Sequence, residues 1–181
     1  PDSVTRIEGY AFDECSDSLF DTTTIPGVKL VDGWVVEYTD ECPSVLDLTG
    51  VRGIGEEVFR YCSGLTSIVA DEENTVYDSR DNCNALIETA TNSLVLGCKN
   101  TIIPTSVTSI SSHTFCGCSG LTSIDIPEGV TSIGDWAFTD CSGLTSIDIP
   151  EGVTSIGSNA FQYCSALTSI NIPANVTSIG Y

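Results

Sequence analysis

Leu121-Thr-Ser-Ile-Asp-Ile-Pro-Glu-Gly-Val-Thr-Ser-Ile-Gly134 returns unchanged as residues 144–157 and, with three substitutions, as residues 167–180. The steps from Leu121 to Leu144 to Leu167 are both 23 residues. A fixed step of about 20–50 residues marks a stacked repeat in which each unit buries its apolar face against its neighbours. The full unit reads L-T-S-I-D-I-P-E-G-V-T-S-I-G-x-x-A-F-x-x-C-S-G. Ile124 and Ile126 lie two apart, so on a short strand they share a face while Ser123 and Asp125 point the other way. Pro127 and Gly129 end that strand in a turn. Val130 and Ile133 re-enter the interior on a second leg, and Ala137, Phe138 and Cys141 are expected to close the coil on a turn of 3₁₀ or α-helix.

Working outward, Val107, Val130, Val153 and Val176 keep the step of 23, and Ile103-Pro104 opens the strict region. Upstream the pattern loosens. Residues 4–15 carry Val4, Ile7, Ala11, Phe12 and Cys15 in the template positions. Val45, Leu46, Leu48, Val51, Ile54, Val58, Phe59 and Cys62 form another unit. Two stretches do not fit. Residues 28–38 alternate around Asp32-Gly33, a strong two-residue hairpin signal. Residues 85–96 contain two apolar runs around Thr89-Ala-Thr-Asn92, a second hairpin. The expectation is a single solenoid over residues 1–181, about seven coils and on the order of 35 Å long at one strand spacing per coil. Pro1 corresponds to Pro127 and Tyr181 to Asp135, so both ends are expected to fall inside a repeat.

The I-x-I-P strand, V-T-S-I-G leg and A-F-x-x-C closure resemble the BspA-type leucine-rich repeat, a class also typified by Treponema repeats. The stretch from Tyr77 to Thr101 is similar to an insertion met in such proteins from gut Bacteroidales. The resemblance covers nearly the whole chain and implies a leucine-rich repeat solenoid of short parallel strands with minor helical or 3₁₀ turns. It also implies export, display on a cell surface or in the extracellular space, and adhesion to host extracellular matrix or a bacterial surface protein. In such repeats the outward positions of the strand ladder form the binding face. Here these are Ser67, Ser123, Asp125, Ser146, Asp148, Ser169 and Asn171. A small, polar, acidic ladder suits a basic protein surface or carbohydrate hydroxyls, and the same ladder equally serves as a solvated face.

Charge and residue counts narrow the classes. Six Lys and Arg against 25 Asp and Glu leave a formal net charge of -19. Nucleic acid is thereby excluded as a partner, since phosphate binding needs clustered cations. No run approaches the ~18 apolar residues that span a bilayer, so membrane insertion is not expected. Catalysis is not expected either. The single histidine, His113, shares its register with Tyr10, Glu57, Trp136 and Asn159, a variable position expected to be exposed. A β-solenoid polysaccharide lyase would need a basic cluster that the six cations do not form. His113, Cys116 and Cys118 lack a fourth zinc ligand. The acidic residues around Asp71–Asp81 lack the spacing of a calcium loop. No cofactor or metal is expected.

Of nine cysteines, Cys15, Cys62, Cys118, Cys141 and Cys164 share the closing position and are expected to stack as buried thiols. Cys42, Cys83, Cys98 and Cys116 lie off that column, and Cys83 with Cys98, flanking the second hairpin, is the pair to test for a bridge. Stacked coils end in open strand edges, so end-to-end self-association is a further expectation. The remaining alternatives are a carbohydrate-binding module and a passive spacer within a larger surface protein.

Overall fold

The computed structural model describes residues 4, 6–39 and 41–181; the register of Pro1 lies outside them. The chain winds into about seven turns of β-solenoid with almost no helix, at a period of about 22 residues. In order, the strands are β1 (Val28–Val31), β2 (Trp34–Tyr38), β3 (Val45–Leu48), β4 (Gly53–Ile54), β5 (Ser67–Ala70), β6 (Tyr77–Asp78), β7 (Ala85–Glu88), β8 (Ser93–Gly97), β9 (Ser109–Ile110), β10 (Ser132–Ile133), β11 (Ser155–Ile156) and β12 (Ser178–Ile179). Two short 3₁₀ turns, Asp17–Leu19 and Arg80–Asn82, are the only helical segments among the described residues.

Each coil contributes to two ladders, and the longer is not the one expected. The I-D-I-P leg forms only single parallel bridges, Asp125 to Asp148 and Asp148 to Asn171, except where β3 and β5 pair over four residues. The V-T-S-I-G leg instead supplies the four parallel strands β9–β12 of a seven-stranded sheet, order β12-β11-β10-β9-β8-β7-β6, which the strands of the second insertion complete. The prolines explain the difference: Pro127, Pro150 and Pro173 follow the I-x-I pair at once and cannot donate to a ladder, so pairing there stops after one residue. The other leg has no such break, and its threonine reinforces it. Thr131 sends both its amide (2.9 Å) and its Oγ1 (3.1 Å) to the Thr108 carbonyl of the coil before. Thr154 and Thr177 repeat the pattern on Thr131 and Thr154. The T-S pairs are therefore staples between coils.

The closing segment is not helical. Trp136 and Asp140 adopt left-handed backbone with φ of 52° and 57°, and the same two register positions are left-handed in Tyr10 and Glu14, Glu57 and Tyr61, and Asn159 and Tyr163. His113 and Gly117 complete the set. Between them the chain makes tight turns, Thr139 N to Trp136 O (3.2 Å) and Cys141 N to Phe138 O (3.1 Å). Alternating hand leaves further amides free to reach the next coil: Trp136, Phe138 and Asp140 donate to Ser158, Ala160 and Gln162, each at 2.8 Å. A helix would have spent those donors internally.

Both hairpins are built into the ladders. The Asp32-Gly33 turn has φ of 50° and 77°, both central residues left-handed as a two-residue hairpin of this twist requires. Its second strand, β2, pairs in parallel with β4, and β8 pairs in parallel with β9, so each takes the place of a V-T-S-I leg. Strand β7 is buried on both faces. Ala85 and Ile87 join Leu94 in a C-terminal core with Phe115, Phe138, Val130 and Val153; Leu86 joins Leu96 and Cys98 in an N-terminal core with Leu46, Phe59 and Ile68. A single strand thus welds two apolar clusters.

The cysteines divide differently from expectation. Cys83 and Cys98 are both free and buried, and the disulfide is Cys42–Cys62, across 20 residues. Their thiols turn to backbone carbonyls instead, Cys83 Sγ toward Ala85 O (3.6 Å) and Cys98 Sγ toward Asn84 O (3.4 Å). Cys62 therefore leaves the column of free thiols, and Cys15 is exposed. The C-terminal column does consist of buried thiols, with a role beyond packing. Cys141 Sγ donates to Phe115 O (3.2 Å) and Cys164 Sγ to Phe138 O (3.1 Å), carbonyls of the preceding coil. Burial pushes the Cys118 thiol up to about 12 and Cys164 up to about 11, so neither forms thiolate readily. Alkylation in denaturant without reductant is expected to add seven groups by intact mass, and nine after reduction. The Cys42→Ser/Cys62→Ser variant should lose about 3 kcal/mol of unfolding free energy, the value for a closed loop of this length. Nine groups without reductant would refute the bridge.

Candidate functional site

Of the seven predicted face residues, six come together. Asp125, Asp148 and Asn171 are bridged in register, and Ser123, Ser146 and Ser169 are exposed beside them. Ser67 stands apart, half-buried on β5 opposite Val45 of β3. The intervening coil carries Asn100, whose Nδ2 donates to Thr66 O at 3.0 Å, and Ile102, which is 73% exposed. Outward positions are acidic at the C-terminal end and include exposed Val45, Val69 and Ile102 at the other. The face is polar only in part.

The concavities follow the other side of the coil. A cavity of about 720 Å³ opens where the β1-β2-β4 sheet ends and the seven-stranded sheet begins. Ile54, Val58, Val95 and Leu96 supply its apolar lining, with Arg6, Glu57, Arg60, Tyr77, Glu88, His113 and Trp136 around it. Arg6 reaches Glu56 with Nε (2.6 Å) and Nη2 (3.0 Å). Arg60 Nη1 meets Glu57 at 3.3 Å, and His113 Nδ1 lies 3.6 Å from the same carboxylate. The His113 ring stacks on Trp136 with centroids 5.1 Å apart.

His113 is thus not the exposed position its variable register suggested: its side chain is 12% exposed. Left-handed backbone at His113 and Trp136 sends both side chains the same way from neighbouring coils, so they stack. Burial lowers the His113 pKa below 6.5, Glu57 opposes that shift and Arg60 reinforces it. A depressed folded-state value means that the unfolded chain takes the proton first. Stability from this group is complete above pH ~6.5 and is lost as pH falls toward the folded value. Denaturation curves between pH 7 and 5 are expected to show a smaller loss for His113→Gln than for the parent. An identical pH dependence would remove His113 from the account.

Nucleophilic chemistry does not fit here. Cys116 is buried beside Arg60, and burial raises its thiol pKa, the reverse of an activated cysteine. Among the described residues no group of three or more His, Cys, Asp and Glu side chains is placed to hold a metal ion. The arrangement presents rings, carboxylates and two guanidinium groups around an apolar floor.

The repeat, the two ladders and the A-F-x-x-C closure agree with a match to the BspA type Leucine rich repeat region, in six copies over residues 1–93 and 87–181. The chain belongs to this family. No curated protein matches it. Among solved structures, a leucine rich cell surface protein from Faecalibacterium prausnitzii A2-165 is 29% identical with a TM-score of 0.68, over 99% of this chain and 42% of that one. The pneumococcal vaccine antigen PcpA shares the fold at 24% identity and a TM-score of 0.65, over 81% of this chain and 36% of that one. The BspA-type chain described here therefore spans less than half the length of either.

Several residues of the groove carried no mark in the sequence. Arg6, Glu57, Tyr77 and Trp136 span 130 residues of sequence and come together in the lining of one groove. The one available signal was the shared register of Tyr10, Glu57, His113, Trp136 and Asn159, where side chains are large and polar instead of fixed.

Proposed function

We propose that this chain is a non-catalytic binding segment of a bacterial cell-surface or secreted protein, engaging a partner protein of the host matrix or another bacterium. The observation that carries the reading is similarity along 99% of the chain to a leucine rich cell surface protein. A rigid stack, stapled between coils by threonine and pinned by a disulfide, suits display, because it presents a surface without needing to reorganise on binding. The acidic balance favours partners with basic surfaces.

The test is a binding screen of the purified chain against immobilised matrix proteins, bacterial surface proteins and a glycan array, with an Asp125→Ala/Asp148→Ala variant beside it. Saturable protein binding that weakens in the variant assigns the contact to the outward ladder. Binding that persists moves it to the groove. A second reading, carbohydrate recognition, is favoured by the His113–Trp136 stack and Tyr77 beside Glu88 in one concavity. Glycan binding without any protein partner would select it, and no binding at all would leave the role of a spacer.

A further inference from the structure

A second cavity, of about 330 Å³, adjoins the groove on the far side of Glu56, Glu57 and Val58, which line both. Its volume is at the lower end of the ~300–1,000 Å³ that hold small ligands, enough for one side chain. Four rings, Tyr10, Phe12, Phe20 and Tyr38, stand in its wall. So do the carboxylates of Asp13, Glu37, Glu56 and Glu57, against the single ammonium of Lys29. Aromatic faces combined with carboxylates select cations, since the ring quadrupole and the formal charge attract the same ligand.

The molecule itself demonstrates this preference. Lys29 places its Nζ 5.1 Å from the centroid of Phe20 and 2.8 Å from Glu37 Oε2. Lys29 thereby uses one ring and one carboxylate, and Arg6 and Arg60 hold Glu56 and Glu57, so Tyr10, 71% exposed, Phe12 and the exposed Asp13 are what the wall offers a further cation. We infer that this cavity receives a lysine or arginine side chain of a partner protein, with the residue that follows it settling on the apolar floor of the neighbouring groove. The occupant is a peptide segment and not a lone small cation because the two concavities share the Glu56–Val58 wall and differ in chemistry, one cationic in preference and the other lined by Ile54, Val95 and Leu96. The net charge of -19 adds long-range attraction for a basic segment. This inference rests on the protein-binding reading above and names the partner chemistry for it.

The test titrates the ¹⁵N-labelled chain at low salt with the peptide acetyl-Gly-Gly-Arg-Leu-Gly-Gly-amide, its lysine counterpart, and the neutral isostere with citrulline in place of arginine. Both charged peptides are expected to shift the amides of residues 9–13 and 37–39, with the citrulline peptide at least tenfold weaker. Asp13→Asn and Tyr10→Ala should each weaken the charged peptides about three- to tenfold, while Tyr10→Phe retains binding. Both sites are exposed, and unchanged thermal unfolding verifies the fold. Equal shifts from the citrulline peptide, shifts confined to other residues, or competition by a neutral oligosaccharide at the same amides overturn the inference. The peptide titration needs no natural partner, so it is read independently of the screen. A partner from that screen whose binding survives Tyr10→Ala/Asp13→Asn but falls in Asp125→Ala/Asp148→Ala leaves the proposed function standing and refutes this site.

Discussion

Phe138→Ala is expected to lower the unfolding free energy by about 3–5 kcal/mol, the range for emptying a large buried aromatic site. Phe138 has no exposed surface and lies between Phe115 and Phe161, with ring centroids at 5.0 and 5.4 Å and near-parallel planes. Truncation removes both stacks and leaves a void in the centre of the C-terminal core. The neighbouring coils cannot close on it, because Phe138 backbone groups tie them: its amide goes to Ala160 O (2.8 Å) and its carbonyl receives Cys164 Sγ (3.1 Å). In a solenoid, stability is close to a sum of units and interfaces, so weakening one coil uncouples those on either side. The urea transition should therefore broaden or split as well as move. Phe161→Ala, at a partly buried ring with one such stack, should cost less than half as much. A single, equally sharp transition within 1 kcal/mol of the parent, an amount small on the scale of such cavities, would contradict the stacked-core account.

What the sequence makes legible follows from periodicity. The step of 23 from Leu121 onward can be satisfied only by coils that stack, and the apolar positions of the unit are the buried ones: Leu121, Ile124, Ile126, Val130, Ile133, Ala137 and Phe138 all lie in the core. Hairpin chemistry is local and equally readable, as at Asp32-Gly33. The closing segment is harder because its left-handed positions are filled by Tyr, Glu, His, Trp, Asn and Asp, and glycine stands at only one of the pairs described. Left-handed backbone disfavours Tyr, Glu and Trp by about 1 kcal/mol or more, so at those positions local preference points away from the conformation that the inter-coil hydrogen bonds impose. The disulfide was unreadable for a different reason. Cys62 occupies a repeat position that elsewhere holds a free thiol, and only the loop after β2 brings Cys42 to it. Of the candidate site, the outward ladder was legible because strands alternate, whereas the paired concavities depend on contacts between coils that the hairpins displace.

Gly117→Ala is expected to cost about 2–5 kcal/mol, and Asp140→Gly, at the equivalent place one coil on, to be neutral or mildly stabilising. The contrast separates two effects that act together at Gly117. Its φ of 76° alone would penalise alanine by roughly 1–2 kcal/mol. Yet Tyr61, Asp140 and Tyr163 bear the same left-handed backbone with side chains present, so that term is one the fold already tolerates. Space is what Gly117 lacks. A Cβ there would stand 2.4 Å from Tyr61 Cα and 3.0 Å from Tyr61 N, backbone atoms that cannot swing aside. The same backbone holds the weld between the two halves, Tyr61 N donating to Cys116 O at 3.0 Å while Gly117 N donates to Thr139 O at 2.8 Å. Relief of the clash must part the N-terminal coil from the C-terminal one. Arg60 and Glu57 then move away from His113, and the groove between the sheets opens. Two readouts follow from one substitution: a drop in unfolding free energy in urea, and loss of the His113-dependent slope between pH 7 and 5. If Gly117→Ala costs no more than the roughly 1–2 kcal/mol of the φ term and the His113-dependent slope survives, the close approach of Tyr61 carries no weight.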